Sequence, residues 1–147
     1  MATNSTLKKV ALFGLNGQVC TGYKSRQGRR QLSQDEILDV FKGHDAVVLS
    51  LNYMAEMQHH NMLVDASLEA GVKRLIPSIW GGRLDLPEAL EIFPIAASKG
   101  ALLDYVKSKA LPAPGWSYTA VACGLFHDLC VLTNFYGFDA EVHTATI

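Results

Sequence analysis

The chain predicts an α/β fold built on an open parallel sheet, and two observations carry that prediction. Short apolar runs, VALF at Val10–Phe13 and AVVLSL over 46–51, read as strands buried on both faces. Amphipathic stretches of helical length lie between such runs, and strands alternating with helices give a parallel sheet with right-handed crossovers. The 147 residues are expected to form a single domain, 1–147.

Taken in order, the first strand, Val10–Phe13, ends in the turn Gly14-Leu15-Asn16-Gly17. Residues 21–31 are polar, basic and without period, so they predict a loop. Ser33 with Glu36 three residues on predicts a capping box, Ile37, Leu38, Val40 and Phe41 supply the helix's apolar face, and Gly43 ends it. The strand over 46–51 leads to a helix over 56–69 closed by Gly71, then a strand over 72–78. A Pro- and Gly-rich excursion over 79–95 precedes a helix over 96–109 and a strand over 116–122. A short helix over 126–131 and a terminal strand over 138–147 complete the expected order. Ligands of such sheets sit beyond the carboxyl ends of the strands, so Gly14–Gly17, Asn52–Tyr53, Ser78–Gly82 and Ala122–Asp128 converge on the expected site.

Composition narrows the partners. Hydrophobic residues make up 49% and charged residues 18%, which supports a real core and excludes a disordered chain. Lys+Arg of 13 against Asp+Glu of 14 leaves a net charge of -1 and no electrostatic pull toward nucleic acid or an anionic membrane. The stretch Trp116–Phe135 is long and apolar, but His127, Asp128, Asn134 and Gly124 argue against a membrane span. Cys20, Cys123 and Cys130 are odd in number and lack metal spacing, so a reduced compartment, small apolar packing roles for Cys123 and Cys130, and no metal site are expected. His59 and His60, adjacent on a helix, point to different sides. Met1 to Thr6 carry no apolar targeting stretch, and a cytoplasmic location is expected.

Five segments occur together and in order: the glycine turn after KKVALFG, FKGHDAVVLSLN, LVDASLEAGVKRLIPSIWG, Lys99 before ALLDYVKSKA, and GWSYTAVACGLFHDL. This succession resembles the NmrA-like and isoflavone-reductase-like family of atypical short-chain dehydrogenases, from Lys8 onward. The resemblance implies a Rossmann-like fold, NADPH, and small aromatic or polyketide substrates of the kind met in fungal secondary metabolism. It also implies that Lys99 stands where the family has its active-site lysine.

The chain departs from the family pattern where the dinucleotide would sit. Gly14 and Gly17 match the first two glycines of the family turn, and Cys20 replaces the third. The family's first helix and second strand have no counterpart; only the polar segment 21–31 stands there. The fold expected is therefore a reduced Rossmann-like sheet, truncated, with Val10–Phe13 at an edge. The helix N-terminus that would receive the diphosphate is missing with it. Gly14 and Gly17 become vestigial, weak or absent dinucleotide binding is expected, and Arg26, Arg29 and Arg30 are either phosphate contacts or a solvated loop. An apolar edge strand invites pairing, so a homodimer is expected.

Lys99 is the principal catalytic candidate, as acid, base or holder of a phenolate or carbonyl oxygen; the alternative is a solvated lysine at a helix start. His127 is a candidate proton shuttle or a structural histidine, and Asp128 a helper or a helix cap. Tyr53 either donates to a substrate oxygen or packs. Asn52, Ser78, Trp80 and Phe126 are expected around the substrate, with the Trp80 indole suited to a flat ligand.

The leading expectation is an enzyme without a cofactor that isomerises, cyclises or dehydrates a small-molecule intermediate. One alternative is an NADPH-dependent reductase completed by its dimer partner. Another is a non-catalytic regulatory or truncated module.

Overall fold

The computed structural model describes residues 7–14, 33–82, 86, 88, 91, 94–133, 135–139 and 142–145. Their elements run β1 (Val10–Phe13), α1 (Gln34–Phe41), β2 (Ala46–Leu49), α2 (Tyr53–Glu69), β3 (Arg74–Ile76), α3 (Pro94–Ala110), β4 (Ser117–Tyr118), α4 (His127–Leu132), β5 (Phe138–Asp139) and β6 (Thr144–Ala145). The first four strands form one parallel sheet in the order β1-β2-β3-β4. This is the α/β architecture expected, with β1 at one end of the sheet among the described residues. The expected loop over 21–31, with Gly17 and Cys20, lies outside the described residues.

The strand order advances in one direction. Right-handed crossovers therefore lay α1, α2 and α3 along the same face. α1 packs on α2 and α2 on α3. Ala11, Val47 and Leu75 stand side by side in register. They meet Ile37, Phe41, Leu63, Val64, Val106 and Trp116 in one core. The Phe13 and Phe41 rings meet edge to face at 5.8 Å. The opposite sheet face is less covered: Val10 is 55% exposed, and Leu12, Val48 and Ile76 are half-buried.

Local chemistry sets the ends. Ser33 caps α1 through a capping box with Glu36, as the spacing predicts. Asn52 caps α2, its side-chain oxygen accepting from the Ala55 N–H at 3.0 Å, so the helix starts three residues earlier than expected. α3 likewise begins at Pro94, a residue suited to a first turn because its missing N–H has no intrahelical partner there. At the opposite edge, Asp45 accepts from the Lys8 and Lys9 N–H groups at 2.9 and 3.1 Å and pairs with Lys73 at 2.8 Å. One carboxylate thus ties the entries of β1, β2 and β3, and these contacts hold its pKa down at about 2.

Two strand expectations are corrected. β4 covers only Ser117–Tyr118, because its neighbour β3 runs into Pro77, whose nitrogen has no hydrogen to continue the ladder. The expected strand over 138–147 is instead an antiparallel pair, β5 with β6, outside the main sheet. His143 between them takes φ +52, a left-handed conformation that reverses the chain. No helix among the described residues is long and apolar enough to cross a membrane.

Candidate active site

Because the four strands are parallel, their carboxyl ends share one edge. There β1 passes into Gly14, β2 into Ser50–Asn52, β3 into Pro77–Gly82, and β4 into the loop that leads to α4. The loops are laced together. Ser78 Oγ accepts from the Leu51 N–H at 2.9 Å, the Trp80 indole N–H donates to the Leu49 carbonyl at 2.9 Å, and the Gly124 N–H donates to the Gly81 carbonyl at 2.9 Å.

Lys99, in the second turn of α3, reaches this edge. Its ammonium lies 3.0 Å from Glu56 Oε2 and donates to the Trp80 carbonyl at 3.3 Å. The Lys99 side chain is 17% exposed and that of Glu56 1%. An ammonium has three donors, so among the described residues two are engaged and one remains. Burial pushes the Glu56 carboxyl up from its ordinary range, and the Lys99 charge and hydrogen bond pull it back.

His60, one turn along α2 from Glu56, is buried as well, and neither ring nitrogen has a hydrogen-bond partner of good geometry among the described residues. Burial, reinforced by the Lys99 charge, lowers its pKa to about 4; the nearby Leu102 backbone only partly opposes this. The imidazole is therefore neutral at neutral pH.

The other candidates divide. Trp80 belongs to the Lys99 cluster through its carbonyl. Ser78 is buried and bridges the loops. The Asn52 side-chain oxygen serves as a helix cap. Tyr53 stands exposed at the start of α2, and Phe126 is exposed just before α4. His127 and Asp128 are exposed in the first turn of α4, and His127 Nδ1 lies 3.3 Å from the Tyr136 hydroxyl. Among the described residues no hydrogen bond or ion pair joins His127 or Asp128 to Lys99. Cys130 is buried, but Cys123 is exposed, which corrects the packing role expected for it: it lies in the extended loop beyond β4, not in the core.

Glu56 and His60 were not legible as site residues from motifs. A signal was present nonetheless. Glu56, His60, Leu63, Val64 and Ser67 follow helical spacing and are all buried on the inward stripe of α2. An acid and an imidazole on an otherwise inward stripe call for a reason.

Gly14 tests the fit of a dinucleotide. It takes φ +93, and a Cβ there would lie 2.5 Å from the Ser50 carbonyl oxygen. Only a glycine fits at this position off β1, the requirement that the first glycine of a dinucleotide-binding sequence meets. Gly17, the second matching glycine, lies outside the described residues.

An open parallel α/β sheet with a half-buried lysine at its carboxyl edge is the architecture of a reduced Rossmann-like fold. The chain belongs to the NmrA-like family, whose model matches residues 13–146. It is also similar to a protein named oxidoreductase aprR from Aspergillus flavus, with 33% identity over 113 residues, covering 76% of this chain. The chain spans 37% of that relative's length.

Proposed function

We propose that the carboxyl edge of the sheet is the active site of an oxidoreductase that reduces a small oxygen-bearing molecule of aromatic or polyketide type. The observation that carries this reading is the Lys99 ammonium, anchored by Glu56 and the Trp80 carbonyl, with one N–H left over among the described residues. Reduction of a carbonyl or enone develops negative charge on oxygen. A fixed cation in a partly dry setting stabilises that charge and supplies the proton. Tyr53, Trp80 and Phe126 offer aromatic surface for the substrate, and Asn52 directly precedes Tyr53. His127 and Asp128 are held as assisting groups on α4. The family and the named relative favour a nicotinamide dinucleotide as hydride source, with the Gly14 turn as its contact on β1.

A specific observation keeps a second reading alive. β1 ends the sheet among the described residues, whereas the strand bearing a dinucleotide turn ordinarily has neighbours on both sides. On that reading Lys99 performs isomerisation, cyclisation or dehydration without a cofactor. Titration of NADPH and of NADH, followed by fluorescence of Trp80 and Trp116, separates the two. Saturable micromolar binding supports reduction; turnover that depends on Lys99 without dinucleotide binding supports the redox-neutral reading and overturns the first.

The homodimer is part of the same proposal. The exposed Val10 on the end strand is a surface that a second copy would cover. Light scattering across concentration tests it, and a persistent monomer rules it out.

A further inference from the structure

We infer that Glu56 is the positioning residue of this site: it anchors the Lys99 ammonium and fixes how that group is presented at the carboxyl edge of the sheet. The inference rests on the reading that Lys99 works on substrate.

The argument begins with what the fold tolerates. Glu56 Oε1 and both nitrogens of His60 are buried without hydrogen-bond partners of good geometry among the described residues, the Leu102 backbone being near His60. Buried polar groups left unpaired destabilise a fold. A buried ion pair is itself weak evidence of stabilisation, since apolar residues of similar volume often serve as well. The α2–α3 contact therefore has no evident stability reason to hold an acid, a base and an imidazole. Groups of this kind, placed against a site's edge, are the mark of an arrangement kept for chemistry.

Geometry then assigns the roles. The charge acting on Glu56 is that of Lys99, from α3. The same α3 ammonium acts on His60, which shares α2 with Glu56. The loop after β3 contributes the neutral Trp80 carbonyl. His60 is neutral at neutral pH, so among the described residues no second cation competes for the carboxylate. One carboxylate faces one ammonium, and Oε2 and the Trp80 carbonyl fix two of its three donors. Two anchors restrict where the third donor points.

Competitive trace acetylation tests this without knowledge of the substrate. Acetic anhydride labels only the neutral amine, and mass spectrometry reads Lys99 against Lys42 and Lys73 across pH. In folded Glu56→Gln, Lys99 labelling relative to Lys42 and Lys73 at mildly alkaline pH is expected to rise by about tenfold, because the amine has lost its carboxylate anchor. Glu56→Asp, which keeps the charge and shortens the reach, is expected to fall between and serves if Gln disturbs folding. Lys99 labelling unchanged within about twofold in both variants overturns the positioning role. Full turnover by Lys99→Ala instead removes the catalytic reading on which the inference rests, and leaves the acetylation result as a separate fact.

Discussion

The Lys99 ammonium lies 3.0 Å from the carboxylate of Glu56, a side chain that is 1% exposed. The contact joins two helices that are far apart in sequence, and it converts a lysine near a helix start into an anchored cation at the carboxyl edge of a parallel sheet. Removing one partner leaves the other buried and uncompensated, whereas removing both leaves an apolar contact. Lys99→Met is therefore expected to lower the unfolding free energy by about 3 kcal/mol, and the double variant Glu56→Leu/Lys99→Met to recover most of it. Urea unfolding of the three proteins checks this; equal stability of the single and double variants would contradict it.

His60 gives a second prediction, in pH. Its folded pKa, about 4, lies below its ordinary value, so the unfolded chain binds its proton first on acidification. The stability associated with neutral His60 is complete above about pH 6.5 and is lost as pH falls toward 4, by about 3 kcal/mol in total. His60→Leu removes that slope. Urea midpoints measured at several pH values across this window decide the matter, and an unchanged slope in the variant sinks the assignment.

Asp45 titrates lower. Its carboxyl, held at about 2 by Lys73 and the Lys8 and Lys9 N–H groups, is depressed, so its contribution is present above the ordinary carboxylate range and fades as pH falls toward 2. Asp45→Asn keeps an acceptor for the backbone N–H groups but loses the charge. The variant is expected to unfold at lower temperature than the parent at neutral pH, with the difference closing in acid. Thermal melts at both conditions read it.

Gly14→Ala meets two penalties: a left-handed φ of +93 and a Cβ 2.5 Å from the Ser50 carbonyl oxygen. A loss of at least about 2 kcal/mol is expected. An alanine variant as stable as the parent would show that the turn relaxes away from β2.

Local patterns are enough for the elements. Ser33 and Glu36 announce their capping box because both partners lie within one turn of chain. The apolar runs at Val10–Phe13 and Ala46–Leu49 announce parallel strands because burial on a sheet leaves a continuous apolar signature. The short extent of β4 and the β5–β6 hairpin were not legible in the same way. One depends on Pro77 in a neighbouring strand, the other on the backbone conformation of His143.

By itself the sequence determined an α/β chain with parallel strands, a glycine turn after the first, and Lys99 as the residue to watch, because periodicity, capping and the order of five segments are written in contiguous stretches. Only the tertiary structure decided what Lys99 faces. Glu56 and His60 sit on α2 and Trp80 on the loop after β3, and crossover geometry brings them to α3; no local pattern encodes a contact whose partners are separated in the chain by the rest of α2, β3 and the loop that follows it. Burial, which sets the charge state of His60 and strengthens the grip of Glu56 on Lys99, exists only once those elements have packed.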